Sequence, residues 1–527
     1  MTSCLTLLFT VVLLTCVLAK DCQVSIGSLA VTGVCDEGGS KYLSIPYAQP
    51  PVDNLRFAVA KELDTSGEKQ EVDGSQLPPI CPQFALTEND NSVLGQEDCL
   101  YLNVYVPGSA GGNLTSKKPV MVYIHGGSFI AGSSSDPTLD GTKLSQAGDV
   151  IVVTLNYRLG YLGYYDSADT GTNFGMSDVI MALNWIKSNI SKFGGDSDKV
   201  TLFGESSGAT MVRYLLNSNR ANNLFTRAII QSDPQCYGPS EKSVSQNILS
   251  AALLKATNCD SVDCLRALSL EKLISAEMQI FTSVYMGQVD GVTNINFPIS
   301  PNVDGDYIKS DLSETLGQNH NVVNPVDIII GTTKDEAGSF IDFDNMSSTN
   351  DSSDELTQKL INKMLNPCTN ANTSSLSTNT LIKLGTKVIF SCPSRINAQT
   401  YASLNPDKNV FVYEFTMGIP YATNTDLPYC TNRICHQDDL YLVFGTYSDA
   451  TTSNDLKQLS QSVQNLWTSF AASGTPNNKG LTWNKVDEGS LNYLDIGQNQ
   501  MKSTDLNVSC SSALLKAAQS ILNNSNV

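Results

Sequence analysis

Ser206 lies between two glycines in the stretch Gly204-Glu205-Ser206-Ser207-Gly208 and follows the apolar run Val200 to Phe203. A stretch with Ala209, Val212 and Leu216 on one helical face comes next. Strand, Gly-x-Ser-x-Gly and helix, in that order, is a setting in which a strained turn projects a serine hydroxyl toward a carbonyl. The glycines let strand and helix approach closely, and the helix start aims N–H groups at developing negative charge. A hydroxyl attacks poorly until a base takes its proton, and imidazole is the natural base near neutral pH. The chain has three histidines, His125, His320 and His436. With the chain order nucleophile, acid, base expected at such a turn, only His320 and His436 remain. His320, in the polar segment GQNHN, leaves little room for an acid on a preceding strand, so His436 in HQDDLYLVFG is the candidate base. An acid to orient it is expected just beyond a strand. The apolar run Val326 to Ile330 leads into GTTKDEAGSF, where Asp335 and Glu336 are both open. Val120 to Ile124 ends in His125-Gly126-Gly127-Ser128-Phe129, a glycine run that is either a plain turn or a set of converging N–H donors. With the Ser207 N–H, such donors would hold an oxyanion, and loss of one typically raises the barrier by about 2.7–4 kcal/mol.

These residues need a scaffold of alternating strands and helices. Val150 to Leu155, Val200 to Phe203, Ala228 to Gln231, Val326 to Ile330 and Val410 to Phe415 read as buried strands. A helix is predicted over Asp178 to Phe193, with Ser177 as its cap and Gly194-Gly195 as its end. Another is predicted over Leu456 to Phe470, stopped by Gly474 and Pro476. Gln23 to Ile45 alternates around glycines, as in a small antiparallel hairpin. The pattern predicts an α/β fold with a large, mostly parallel central sheet flanked by helices. No point divides the chain into independent domains, so residues 20–527 are expected to form one.

The 527 residues carry 33 basic and 52 acidic side chains, a net charge of -19. That charge disfavours nucleic acid and anionic membranes as partners. Leu5 to Leu18 is an apolar run too short to span a bilayer, and Val17-Leu18-Ala19 suits a signal peptidase, so residues 1–19 read as a signal peptide. No membrane anchor is expected. Fourteen cysteines, twelve of them after that segment, fit an oxidising compartment. Sequons at Asn113, Asn189, Asn345, Asn350, Asn372, Asn507 and Asn523 add the expectation of a glycosylated protein, secreted or held in the lumen of secretory vesicles.

Several longer segments resemble the type B carboxylesterase/cholinesterase family. They are YLSIPYAQPPVDNLRF at 42–57, EDCLYLNVYVP at 97–107, PVMVYIHGGSFIAGS at 119–133 and NYRLGYLGYY at 156–165. NFGMSDVIMALNWIKSNISKFGGDSDKVTLFGESSGA at 173–209, GTTKDEAGSF and HQDDLYLVFG complete the set. The resemblance implies an α/β-hydrolase fold. It also implies a triad of Ser206, Glu336 and His436, with Glu336 preferred to Asp335, and oxyanion donors at Gly127, Ser128 and Ser207. Ser128 stands where a third glycine is usual and Ser207 where alanine is usual. Disulfides Cys81–Cys99 and Cys259–Cys264 are implied, with Cys392–Cys510. Proximity suggests Cys22–Cys35 and Cys430–Cys435.

The function implied is that of a secreted serine carboxylesterase acting on small-molecule esters through an acyl-enzyme, without a metal or organic cofactor. The segment between Cys81 and Cys99 has no tryptophan, and Trp185, Trp467 and Trp483 read as core or surface, so a general carboxylesterase is expected and not an acetylcholinesterase. The alternative is a catalytically silent binding, adhesion or storage protein; against it, all three triad positions are filled. Thioesterase, amidase and lipase preferences stay open. An unperturbed His436 would lose its function as a base below a pH near 6.5.

Overall fold

The computed structural model describes residues 20–510 apart from 37, 86–91, 109–116, 286–287, 290–291, 293–297, 341–364, 366–367, 369–377, 419–429, 431, 448–451, 479, 487–490, 498–499 and 505–509. The expected signal segment and every sequon except Asn189 lie outside these residues. Asn189 is half-buried.

Strands β1 (Lys20–Ile26), β2 (Leu29–Cys35) and β3 (Gly39–Pro46) form the antiparallel start, and β4 (Gln70–Asp73) pairs in parallel with β2. The sheet continues through β5 (Tyr101–Pro107), β6 (Lys118–Ile124), β7 (Ile151–Leu155), β8 (Gly195–Glu205), β9 (Arg227–Gln231), β10 (Asp327–Thr333), β11 (Val410–Phe415), β12 (Leu491–Ile496) and β13 (Gln500–Thr504). Among the described residues this is a 13-stranded sheet ordered β1-β2-β3-β5-β7-β6-β8-β9-β10-β11-β12-β13. From β7 to β12 every neighbouring pair is parallel.

Alternate residues of the central strands feed two cores. Val120, Val122 and Ile124 of β6 face one side, and Met121 and Tyr123 the other. In β10, Ile328 and Ile330 oppose Ile329 in the same way. Burial on both faces is why these strands read as continuous apolar runs and not as alternating ones. Helices α1 (Phe174–Asn189) and α2 (Ser207–Leu216) cover the first face, with Val179, Leu183 and Ile186, and with Val212 and Leu215. The short helix α3 (Leu440–Phe444) and the long α4 (Asn454–Ser473) cover the second. Leu459, Val463, Leu466, Trp467 and Phe470 of α4 are buried there, each contributing about 1.5–3 kcal/mol relative to exposure.

Helix α1 starts four residues before the predicted Asp178. Asn173 is its N-cap at φ 58°, and Ser177 sits inside the first turn, donating from Oγ to the Phe174 carbonyl at 2.6 Å. Phe174, Gly175 and Met176 are all buried, so tertiary packing sets this start and no polar cap announces it. A 3-10 turn, Ile190–Phe193, follows, and Gly194 ends it at φ 85°, a left-handed backbone that glycine adopts without cost.

Six disulfides occur among the described residues: Cys22–Cys35, Cys81–Cys99, Cys236–Cys368, Cys259–Cys264, Cys392–Cys510 and Cys430–Cys435. Cys236 and Cys368 are 132 residues apart, and nothing in their sequence surroundings pairs them. No described helix is long and apolar enough to cross a membrane.

Candidate active site

The turn from β8 into α2 puts Ser206 at φ 57°, ψ -127°, a conformation that costs an L-residue about 1–3 kcal/mol. Its neighbours hold it there. The Ser206 N–H donates to the Gln231 carbonyl at 3.0 Å, extending the β8–β9 ladder by one residue. Behind it, α2 presses against the end of β6. A Cβ on Gly208 would lie 2.1 Å from the Ile124 carbonyl oxygen and 2.7 Å from that of His125. A Cβ on Gly204 would lie 2.6 Å from the Gly208 backbone. We therefore expect Gly208→Ala to lower stability by about 1–3 kcal/mol, the usual cost of overpacking, and to reduce turnover by moving the turn. A denaturation midpoint equal to the wild type's would show that the contact is looser than this.

Further along α2 the fully buried Arg213 donates from Nε to Asp233 at 2.7 Å, from Nη2 to the Tyr237 carbonyl at 3.0 Å, and pairs through Nη1 with Asp311. Thr210 donates to the other Asp233 oxygen at 2.7 Å. This network fastens the helix under the loop that leaves β9. Breaking one partner of such a buried pair strands a charge at about 3–5 kcal/mol.

The loop after β6 carries the glycine run. Gly127, Ser128 and Phe129 have φ of 110°, 55° and 62°. The N–H groups of Ile130 and Ala131 turn back onto the Gly127 carbonyl at 3.0 and 2.9 Å. The N–H groups of Gly127, Ser128 and Ser207 take no hydrogen-bond partner among the described residues. His125 is buried at the start of the loop, stacked on Tyr157 with ring centroids 4.5 Å apart. Burial lowers its pKa to about 4, which keeps it neutral. His320 is exposed and distant in role, its N–H closing a turn onto the Thr315 carbonyl at 3.0 Å.

Beyond β10 the two open acids separate. Asp335 is half-buried, donates its N–H to the Ile434 carbonyl at 2.9 Å and accepts from the Ile434 N–H at 3.3 Å. Glu336 is fully buried, accepts from the Thr333 N–H at 2.7 Å, and places its other oxygen 2.6 Å from His436 Nδ1. The structure thus brings Glu336, and not Asp335, to the imidazole. Rings of Phe340 and Phe390 flank His436 at 5.1 and 5.3 Å. His436 Nε2 lies 3.1 Å from Glu205 Oε1 without hydrogen-bond alignment, at the residue directly before Ser206.

Glu205 was not foreseen, although an acid closing the apolar run VTLFGE is itself a signal. It is wholly buried, and burial, reinforced by the Asp439 and Glu336 carboxylates, pushes its pKa up to about 8. Burial alone would lower the pKa of His436; Glu205 and Glu336, with the Glu336 hydrogen bond, outweigh it and raise it to about 9. The two groups are in contact, so the charge of each acts on the titration of the other. Asp439, raised to about 6 by burial, accepts from Gln231 Nε2 at 2.8 Å, and Trp467 Nε1 donates to Gln231 Oε1 at 3.2 Å. Trp467 and Trp483 therefore sit in the core behind the site, and Trp185 is half-buried on α1. Among the described residues no group of three or more His, Cys, Asp or Glu side chains is arranged to hold a metal ion.

A serine on a strained strand-to-helix turn, an imidazole on a buried glutamate and a glycine loop at the ends of parallel strands form one constellation. A family model described as the carboxylesterase family matches residues 30–512. The chain belongs to the carboxylesterase family. Among its relatives, this carboxylesterase is 31% identical to the para-nitrobenzyl esterase of Bacillus subtilis (strain 168), over 86% of this chain and 90% of that protein. It is 30% identical to the crystal protein of Dictyostelium discoideum, over 88% and 84%, and 30% identical to liver carboxylesterase 1 of Mus musculus, over 86% and 85%. The solved structure of a thermophilic PNB esterase superposes with a TM-score of 0.74 at 28% identity, covering 92% of this chain and 97% of that one. The fold is that of the α/β-hydrolases, and the family is one of serine carboxylic ester hydrolases.

Proposed function

We propose that this carboxylesterase hydrolyses small-molecule carboxylic esters through an acyl-enzyme on Ser206. In the productive state His436 is neutral, with Nδ1–H on the Glu336 carboxylate. Nε2 then takes the Ser206 proton as Oγ bonds to the ester carbonyl carbon. The carbonyl π electrons move onto oxygen, toward the N–H groups of Gly127, Ser128 and Ser207. As the tetrahedral intermediate collapses, the carbon–oxygen bond to the alcohol breaks and the Nε2 proton goes to the leaving alkoxide. Water repeats the sequence on the acyl-enzyme and frees Ser206. No step calls for a metal or organic cofactor. We further propose that residues 1–19 are a cleaved signal, that 20–527 form one domain, and that the product is secreted or lumenal and glycosylated; six disulfides support an oxidising destination.

The observation that carries the catalytic reading is the His436 ring, bonded through Nδ1 to Glu336 and reaching with Nε2 to the residue adjoining Ser206. A fluorophosphonate, which captures only an activated serine, tests it. Incubation should label the purified chain once, on the peptide containing Ser206, and abolish hydrolysis of a short-chain aryl ester in proportion to labelling. A folded chain that takes no label and turns over no ester would defeat the proposal.

A further inference from the structure

The Ser207 backbone belongs to the proposed oxyanion hole, but its side chain has a separate set of contacts. The side chain is completely buried at the first position of α2. The Phe129 N–H donates to Ser207 Oγ at 3.3 Å. The Ser207 hydroxyl also lies beside the Tyr157 phenol, which donates to the His125 carbonyl at 2.9 Å. From the residue next to Ser206, one hydroxyl therefore accepts from the far end of the loop running from His125 to Phe129 and lies beside the phenol that is bonded to its near end. Between those ends Ser128 and Phe129 are held successively at φ 55° and 62°, where side-chain-bearing residues are strained. Strain of this kind persists only where the surroundings over-determine it.

Resting on the acyl-enzyme reading above, we propose that the Ser207 side chain is a positioning residue that locks the strained donor loop to the helix carrying the nucleophile. Removing the hydroxyl leaves the backbone donors in place but frees the loop to relax away from the position of the oxyanion. Such a defect acts on the transition state and spares substrate binding. Its size also depends on strain. Glycine at 128 adopts φ 55° freely, so the loop then holds its shape with less help.

The test is a double-mutant cycle on purified enzyme, with a short-chain aryl ester as substrate and an aryl trifluoromethyl ketone as tetrahedral mimic. Ser207→Ala should lower kcat by about tenfold, below the 10²–10³ expected for deleting a donor outright, with KM within about twofold. Ketone affinity should fall in step with kcat/KM, and the melting temperature should barely change. In the Ser128→Gly background the same substitution should cost less than about threefold, the difference being the coupling. Tyr157→Phe, which cuts the arm to His125, should reproduce part of the kcat loss, and it reports on the tie even where Ser207→Ala folds poorly. Unchanged kcat and ketone affinity in Ser207→Ala and Tyr157→Phe, with an active wild type, would overturn this proposal alone. Equal losses in both backgrounds would also overturn it, because the hydroxyl would not be opposing the strain at 128. A wild type without ester turnover would overturn the catalytic reading and this one together.

Discussion

Exchanging Glu336 for glutamine should lower kcat by about 10⁴-fold while leaving the fold intact. The amide oxygen can still accept from the Thr333 N–H, now at 2.7 Å, so the local backbone has no reason to move. The side chain loses its charge, which would have stabilised the imidazolium, and its NH₂ favours an acceptor at His436 Nδ1. The ring proton then sits on Nε2, the atom that must receive the serine proton. The wrong tautomer and the missing charge together set the magnitude. Ser206→Ala should cost more, about 10⁶-fold, and the double variant no more than Ser206→Ala, because the groups act as a unit. Asp335→Asn, which keeps its backbone bond to residue 434, should stay within a few-fold of wild type. Steady-state kinetics with an aryl ester decides the matter. A Glu336→Gln enzyme within tenfold of wild type would mean that the 2.6 Å contact with His436 does not serve the reaction.

The second large effect is on pH dependence. Because Glu205 and Glu336 raise His436 to about 9 in the face of burial, the base of the wild-type enzyme should lose its competence well above the unperturbed 6.5. Glutamine at 205 imitates the protonated acid and removes the strongest of those charges. The acid limb of kcat/KM in Glu205→Gln should therefore move down by about one pH unit or more. Stability supplies an independent reading of the same groups. Glu205 rises from an ordinary value of 4.5 to about 8 in the fold, so its contribution is fully present below 4.5 and is lost as pH climbs through 8. His436, raised from 6.5 to about 9, behaves alike: its contribution is complete below 6.5 and is lost through 9. Wild-type melting temperature should fall between pH 6 and 9, and that of Glu205→Gln should fall less. Superimposable pH–rate and pH–melting curves for the two proteins would remove Glu205 from the account.

Much of this arrangement was legible from residue type and spacing. The strands at Val200, Val326 and Val410 announced themselves because a doubly covered parallel strand needs an unbroken apolar run. The turn around Ser206 announced itself because glycine is the residue that permits backbones to approach as Gly204, Gly208 and β6 do. The choice between Asp335 and Glu336 was not legible from local pattern. It depends on which of two adjacent side chains points inward from a turn, and family resemblance had to supply Glu336. Glu205 and Gln231 were missed because their roles are long-range: each is defined by contact with a residue more than 200 positions away, Glu205 with His436 and Gln231 with Asp439 and Trp467. The start of α1 escaped for the opposite reason, since a buried apolar first turn carries none of the polar capping that sequence reading relies on.

The parallel block from β7 to β12 also has a temporal meaning. Ser206, Glu336 and His436 are contributed by segments separated by 130 and 100 positions, and the strands between them must be seated before the three can meet. Non-local pairing of this kind forms late. A ribosome that has released β8 and α2 but not residue 436 carries a complete serine turn with nothing to ionise it. Ester-cleaving power should therefore switch on only with the last fifth of translation.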